Sequence, residues 1–109
     1  MILELMSISV PPGKKEDFGR SFLSFSGPIQ VQKGCLSCRV FQGWANEDTL
    51  HIEARWETQE DLVRHLRSDV YKKLLLLLEL GTAEPNLEFF SVVECRGLDL
   101  VQAARISMR

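Results

Sequence analysis

Between Thr49 and Glu57 apolar and polar residues alternate without a break: Leu50, Ile52, Ala54 and Trp56 on one side of an extended chain, His51, Glu53 and Arg55 on the other. A period of two is that of a strand buried on one face only. The residues ahead of it, Asn46-Glu47-Asp48, are turn formers and predict a hairpin. Behind it Thr58 and Asp61 form a loose capping box before Leu62, Val63 and Leu66, so a helix starts there.

The rest of the chain builds outward from this unit. Residues 2 to 10 are rich in Ile, Leu, Met and Val and end at Pro11-Pro12-Gly13, which predicts a first strand. From Lys14 to Ser26, Phe18, Phe22 and Phe25 recur at i, i+4 and i+7, one stripe of an amphipathic helix. Gly27-Pro28 should break that helix, leaving a short extra turn over Ile29 to Lys33, and Gly34 leads into a strand from Cys35 to about Trp44. The helix that Thr58 caps is expected to reach about Leu80, kinked near Ser68-Asp69, with Gly81 as its stop. A last strand runs from Leu87 to about Cys95, and Leu98, Val101 and Ala104 in the tail are spaced for a short helix. The order β-α-β-β-α-β predicts an α+β fold of the ferredoxin-like kind, an antiparallel sheet with two helices on one face. At 109 residues one domain is expected, residues 1–95, followed by a tail of residues 96–109.

Two segments demand more burial than such a layer gives. The last strand carries Leu87, Phe89 and Val93 on one side and Phe90 and Val92 on the other, and the run Leu74 to Leu78 surrounds its helix with leucine. A homodimer covers both, with the tail packed on the dimer; the alternative is a tail folded back over Leu75 and Leu76.

Composition narrows the partners. Thirteen basic residues are scattered among fifteen acidic ones, for a net charge of −2 and a pI near 5.7, which argues against nucleic acid. The leucine run is far shorter than the roughly 20 residues that span a bilayer, so no membrane segment is expected. The N-terminal residues meet Glu4 with no basic segment before it, unlike a signal peptide, which points to the cytoplasm. Cys35, Cys38 and Cys95 make an odd count, and a disulfide framework is not expected. Cys35 and Cys38 form a C-x-x-C inside a strand, where alternation sends side chains three apart to opposite faces; neither a redox pair nor a zinc site is expected from them.

The stretch Gly34-Cys35-Leu36-Ser37-Cys38-Arg39-Val40-Phe41, followed by Arg55-Trp56-Glu57 and Leu62-x-x-His65-Leu66, resembles the antibiotic biosynthesis monooxygenase family over roughly residues 2 to 95. The resemblance implies a dimeric α+β barrel and, in its quinol-oxidising branch, oxidation of a small phenol or hydroquinone by O2 with no metal, flavin or haem, hence no cofactor. The chain departs from that branch at Val70, where a second His often stands, and at Ala54, where an acid often precedes the Trp; Glu53 faces the other way. The haem-degrading branch shares Leu66 to Lys72, but its iron-ligating His falls on Leu75, which cannot bind iron.

His65 is the candidate catalytic base, since an ordinary imidazole titrates near neutral pH. On a helical wheel it flanks Leu62, compatible with a pocket wall or with the solvent boundary. Trp56, Phe22 and Tyr71 are candidates for an aromatic wall against a flat substrate, Trp56 and Phe22 because the family pocket lies between sheet and helices; the plain reading of Phe18 is core. Ser7 or Ser9 on the first strand can donate to a phenolic oxygen. His51, beside Glu53 and Arg55, reads as an ion-pair or dimer contact. With two histidines and no Gly-rich phosphate loop, no triad or nucleotide site can be assembled. The readings left are a cofactor-independent monooxygenase, a non-catalytic dimeric small-molecule-binding or stress-response protein, and an interaction module.

Overall fold

The structure, a computed structural model, describes residues 1–44 and 48–107. The elements are β1 (Ile2–Ser9), α1 (Lys15–Gln30), β2 (Cys35–Gln42), β3 (Thr49–Trp56), α2 (Gln59–Leu66), α3 (Asp69–Leu78), β4 (Asn86–Ser91) and α4 (Leu98–Ser107). The four strands form one antiparallel sheet in the order β2-β3-β1-β4, the ferredoxin-like arrangement. Among the described residues, no helix is long and apolar enough to cross a membrane.

The alternation in β3 sorts the sheet as expected. Leu50, Ile52, Ala54 and Trp56 are buried, and they share a core with Met6 and Ile8 of β1, Phe22 and Ile29 of α1, Leu62 of α2, and Tyr71, Leu74 and Leu78 of α3. Their ladder neighbours put Ser7, His51, Glu53 and Arg55 on the opposite face, which no helix of that core covers. The predicted turn residues Asn46 and Glu47 lie outside the described residues.

Four expectations change. Helix α1 runs through Gly27-Pro28 to Gln30. Proline costs a helix the hydrogen bond to the carbonyl four residues back, but that carbonyl belongs to exposed Ser24, and Ile29, 1% exposed, anchors the last turn in the core. The long second helix is two helices: the Ser68 hydroxyl accepts from the Tyr71 amide and so caps α3 afresh. β4 stops at Ser91, short of Cys95; Val92 only donates its amide to the Met1 carbonyl.

The fourth change concerns the cysteines. A bulge between Cys35 and Ser37 inserts Leu36 as an extra residue, so Cys35 lies opposite Trp56 and Cys38 opposite Ala54. The insertion resets the alternation, and both thiols fall on the helix-covered face instead of opposite ones. All three cysteines are free. Burial pushes the Cys38 thiol up to about 12, with Cys35 and Glu4 adding to the effect. Since the thiolate is the reactive form, alkylation of the folded protein should label exposed Cys95 first and Cys38 last, as followed by peptide mass spectrometry; equal rates would contradict this packing.

At the start of β2, Gly34 has φ +81, and its carbonyl accepts from the Glu57 amide at 2.8 Å. A Cβ there would overlap the Asp61 carboxyl. The loop before β2 and the first turn of α2 thus approach as closely as backbone and side chain can.

Candidate active site

Trp56 closes β3 and is fully buried. One loop later α2 begins: the Thr58 hydroxyl accepts from the Asp61 amide at 3.1 Å, fixing the helix phase so that Asp61, Leu62 and His65 turn inward. The Thr58 hydroxyl and the Arg64 guanidinium hold the Asp61 carboxyl below the usual carboxylate range. His65 is 2% exposed, which settles its place as interior and not the solvent boundary. Its ring stacks on Trp56 at 4.4 Å between centroids, and Tyr71 meets it edge-on at 5.0 Å.

A carboxylate completes the cluster. Glu4 points from β1 to the same covered face as Met6 and Ile8 and is 2% exposed. Its ladder neighbour on β3 is Ala54, whose methyl side chain leaves room for it. Glu4 Oε1 accepts from the Trp56 Nε1–H at 3.0 Å and lies 3.3 Å from His65 Nε2. On the far side of the imidazole, His65 Nδ1 is 2.6 Å from Gln32 Oε1, while Gln32 Nε2 donates to the Ser68 hydroxyl at 3.2 Å. With the amide so oriented, Nδ1 is the donor. Nε2 then faces Oε1, and the contact is an ion pair when the imidazole carries its second proton.

One atom is left over. Glu4 Oε2 is buried and has no hydrogen-bond partner among the described residues. An unpaired buried polar atom costs about 1–3 kcal/mol and calls for a reason. Between α2 and β4 an open hollow of about 290 Å³ is lined by Ile2, Leu62, Val63, Leu66, Phe89 and Phe90, among others, and its lining does not include Glu4. Phe89 is the ladder partner of Glu4, and Ile2 is the next residue on its face. Small-molecule pockets run from roughly 300 Å³ upward, so this one lies at the lower edge of that range. A smaller hollow of about 170 Å³, lined by Gln32, Lys33, Asp61, Arg64 and Ser68, reaches His65 from another side.

Burial pushes the Tyr71 phenol from its ordinary 10.0 up to about 12, and the Glu4 charge adds to this. The unfolded chain releases that proton near 10 while the folded chain keeps it to about 12. The associated stability is intact below pH 10 and is lost as pH rises through about 12. Tyr71 is the sole tyrosine in the sequence. An ultraviolet titration should therefore show one phenolate transition well above 10; a midpoint at 10 would mean an exposed ring.

Of the residues picked from sequence, the fold brings His65, Trp56 and Tyr71 together. Phe22 is core, 1% exposed, and lines neither hollow beside this cluster. Ser7 lies on the opposite face, where it borders a separate hollow of about 400 Å³ with Leu5, Phe41, His51 and Glu53. Sequence reasoning missed Glu4 and Gln32. Glu4 carried a signal, a lone acid in the otherwise apolar alternation Ile2, Met6, Ile8; the β3 position where the family resemblance implies an acid is Ala54, directly across the ladder from it.

A helix-covered antiparallel sheet that buries a carboxylate, an imidazole and two aromatic rings against one another defines a small α+β domain of the ferredoxin-like kind. The chain belongs to the antibiotic biosynthesis monooxygenase family, whose sequence profile matches residues 1–75. Among solved structures, it is similar to a Deinococcus radiodurans protein named for that family, at 14% identity and a TM-score of 0.80 over 89% of this chain and 97% of that one. It is also similar to a conserved protein of Methanosarcina mazei, at 26% identity and a TM-score of 0.75 over 82% and 89%. A Caulobacter crescentus protein named for the same family aligns at 20% identity, with a TM-score of 0.76 over 85% and 90%. No curated protein matches the chain by sequence. Haem ligation does not fit these residues: Leu75 has no ligating atom and sits 39% exposed, and both nitrogens of His65 are engaged.

Proposed function

We propose that the protein is a cofactor-independent monooxygenase that oxidises a small phenol or hydroquinone with O2. The observation that carries this reading is the buried Glu4–His65 pair stacked beneath Trp56 and Tyr71 next to an apolar cavity. A phenolate yields an electron to oxygen far more readily than a phenol, so a site that deprotonates and holds a flat ring promotes the reaction. In the balanced reaction one oxygen atom enters the ring and the other leaves as water. All four electrons come from the substrate, and a quinol emerges as a hydroxyquinone. The test is oxygen uptake by purified protein with a panel of quinols; uptake no faster than the quinols alone would sink the reading.

One observation favours a second reading, a binding domain without turnover: neither nitrogen of His65 is free to meet a ligand. A ligand-induced rise in melting temperature without oxygen uptake would select it.

Either reading goes with a homodimer. Phe89 and Phe90 of β4 are 43% and 42% exposed, Leu75 and Leu76 of α3 stay uncovered, and α4 presents Leu98, Leu100, Val101 and Ile106 to solvent. The tail thus does not cover the leucines itself. The radius of gyration, 16.2 Å, exceeds the ~13 Å of a compact chain this long. Apolar surface on this scale suits a second copy. Sedimentation should give twice the 12.4 kDa chain mass; a monomer at micromolar concentration would refute it.

A further inference from the structure

We propose that Glu4, through Oε2, is the group that takes the proton from the bound phenolic hydroxyl, and that His65 is a positioning residue behind it. This rests on the reading of the site as one that binds a phenol. The two side chains differ in what they have left to offer. His65 gives Nδ1–H to Gln32 and faces Glu4 with Nε2, so both nitrogens are committed to the protein. Glu4 commits only Oε1, which receives Trp56 Nε1–H and faces His65 Nε2. Oε2 has no partner among the described residues although it is buried, and Ile2 and Phe89, two of the residues that line the hollow, are the neighbours of Glu4 on its face of β1 and across the ladder.

The chemistry follows from those assignments. In the ion-paired form, with the second proton on Nε2, Glu4 is a carboxylate held by two N–H donors at one oxygen and free at the other. A phenolic O–H reaching Oε2 satisfies that oxygen. The O–H bond breaks, the proton passes to Oε2, and the electron pair stays on the substrate as phenolate. The imidazolium remains beside the new acid and balances the phenolate charge. The proton on Oε2 returns to solvent before the next turnover, since the imidazolium, already protonated at both nitrogens, cannot take it.

The test uses 4-nitrophenol, whose phenolate is coloured, at a pH where the free ligand is protonated. Wild type should bind it as the phenolate. Glu4→Gln keeps an oxygen to accept Trp56 Nε1–H but has no basic oxygen, and it should bind the ligand uncoloured, with at least a tenfold lower phenolate fraction. His65→Gln keeps an N–H toward Glu4 and should bind more weakly while still ionising the ligand. Colour that persists in Glu4→Gln, colour lost in both variants, or no ionisation by wild type overturns the assignment. If Glu4→Gln does not fold, Glu4→Asp serves instead, since retracting the carboxylate by one methylene should also abolish the colour. Oxygen uptake separates this from the oxidation reading. Ionisation without uptake leaves Glu4 standing and oxidation fallen; uptake undiminished in Glu4→Gln does the reverse.

Discussion

His65→Ala should lower quinol turnover by at least about tenfold, short of the roughly 10²- to 10⁴-fold that a proton-transfer group itself contributes, while the protein stays folded. The substitution removes the N–H facing Glu4 Oε1 and the ring stacked on Trp56 at once. Glu4 then keeps a single donor, Trp56 Nε1–H, and its free oxygen is no longer aimed. His65→Gln should recover part of the loss by restoring an N–H donor, which a purely packing role for the ring would not allow. The measurement is initial oxygen uptake at saturating and at limiting quinol, with circular dichroism as the control for folding. Wild-type rates in His65→Ala would refute any place for the imidazole in the reaction.

The largest expected effect on stability lies one layer deeper. Trp56→Ala empties a fully buried position and should cost about 3–5 kcal/mol, the range for buried aromatic truncations. It also deprives Glu4 of its indole donor, leaving a buried carboxylate dependent on His65 alone. For a domain near this size 1 kcal/mol moves the melting temperature by about 4–8 °C, so a fall of at least about 12 °C is expected in a thermal melt. Trp56→Phe should fall between, keeping most of the packing and losing only the N–H. A shift of one or two degrees for the alanine variant would mean that Trp56 neither fills the core nor supports Glu4.

The parts of the fold that follow simple periodicities were legible in the sequence. Strict alternation set the faces of β3, the Phe18, Phe22, Phe25 stripe set α1, and Thr58 marked the start of α2, because each is a local rule that packing reinforces. Reading failed where tertiary context outweighs a local rule. Burial of Ile29 carries α1 past a proline, and Leu36 slips the phase of β2 and moves both cysteines to one face. Three of the five clustered residues were visible, as Trp56, His65 and Tyr71 belong to recognisable elements. Glu4 was not singled out, because an acid in a strand ordinarily marks solvent. Its meaning depends on which neighbours cross the sheet beside it, and that is a property of register.

Gly34 gives the site a dependence of another kind. The imidazole meets Trp56 only because the first turn of α2 settles against a residue that has no side chain, Asp61 occupying the space a methyl group would need. His65 stands one turn further along the same helix. The loop therefore acts as a fulcrum: whatever raises the near end of α2 tilts its far end, and the Trp56–His65 stack inherits its spacing from a position that has no side chain.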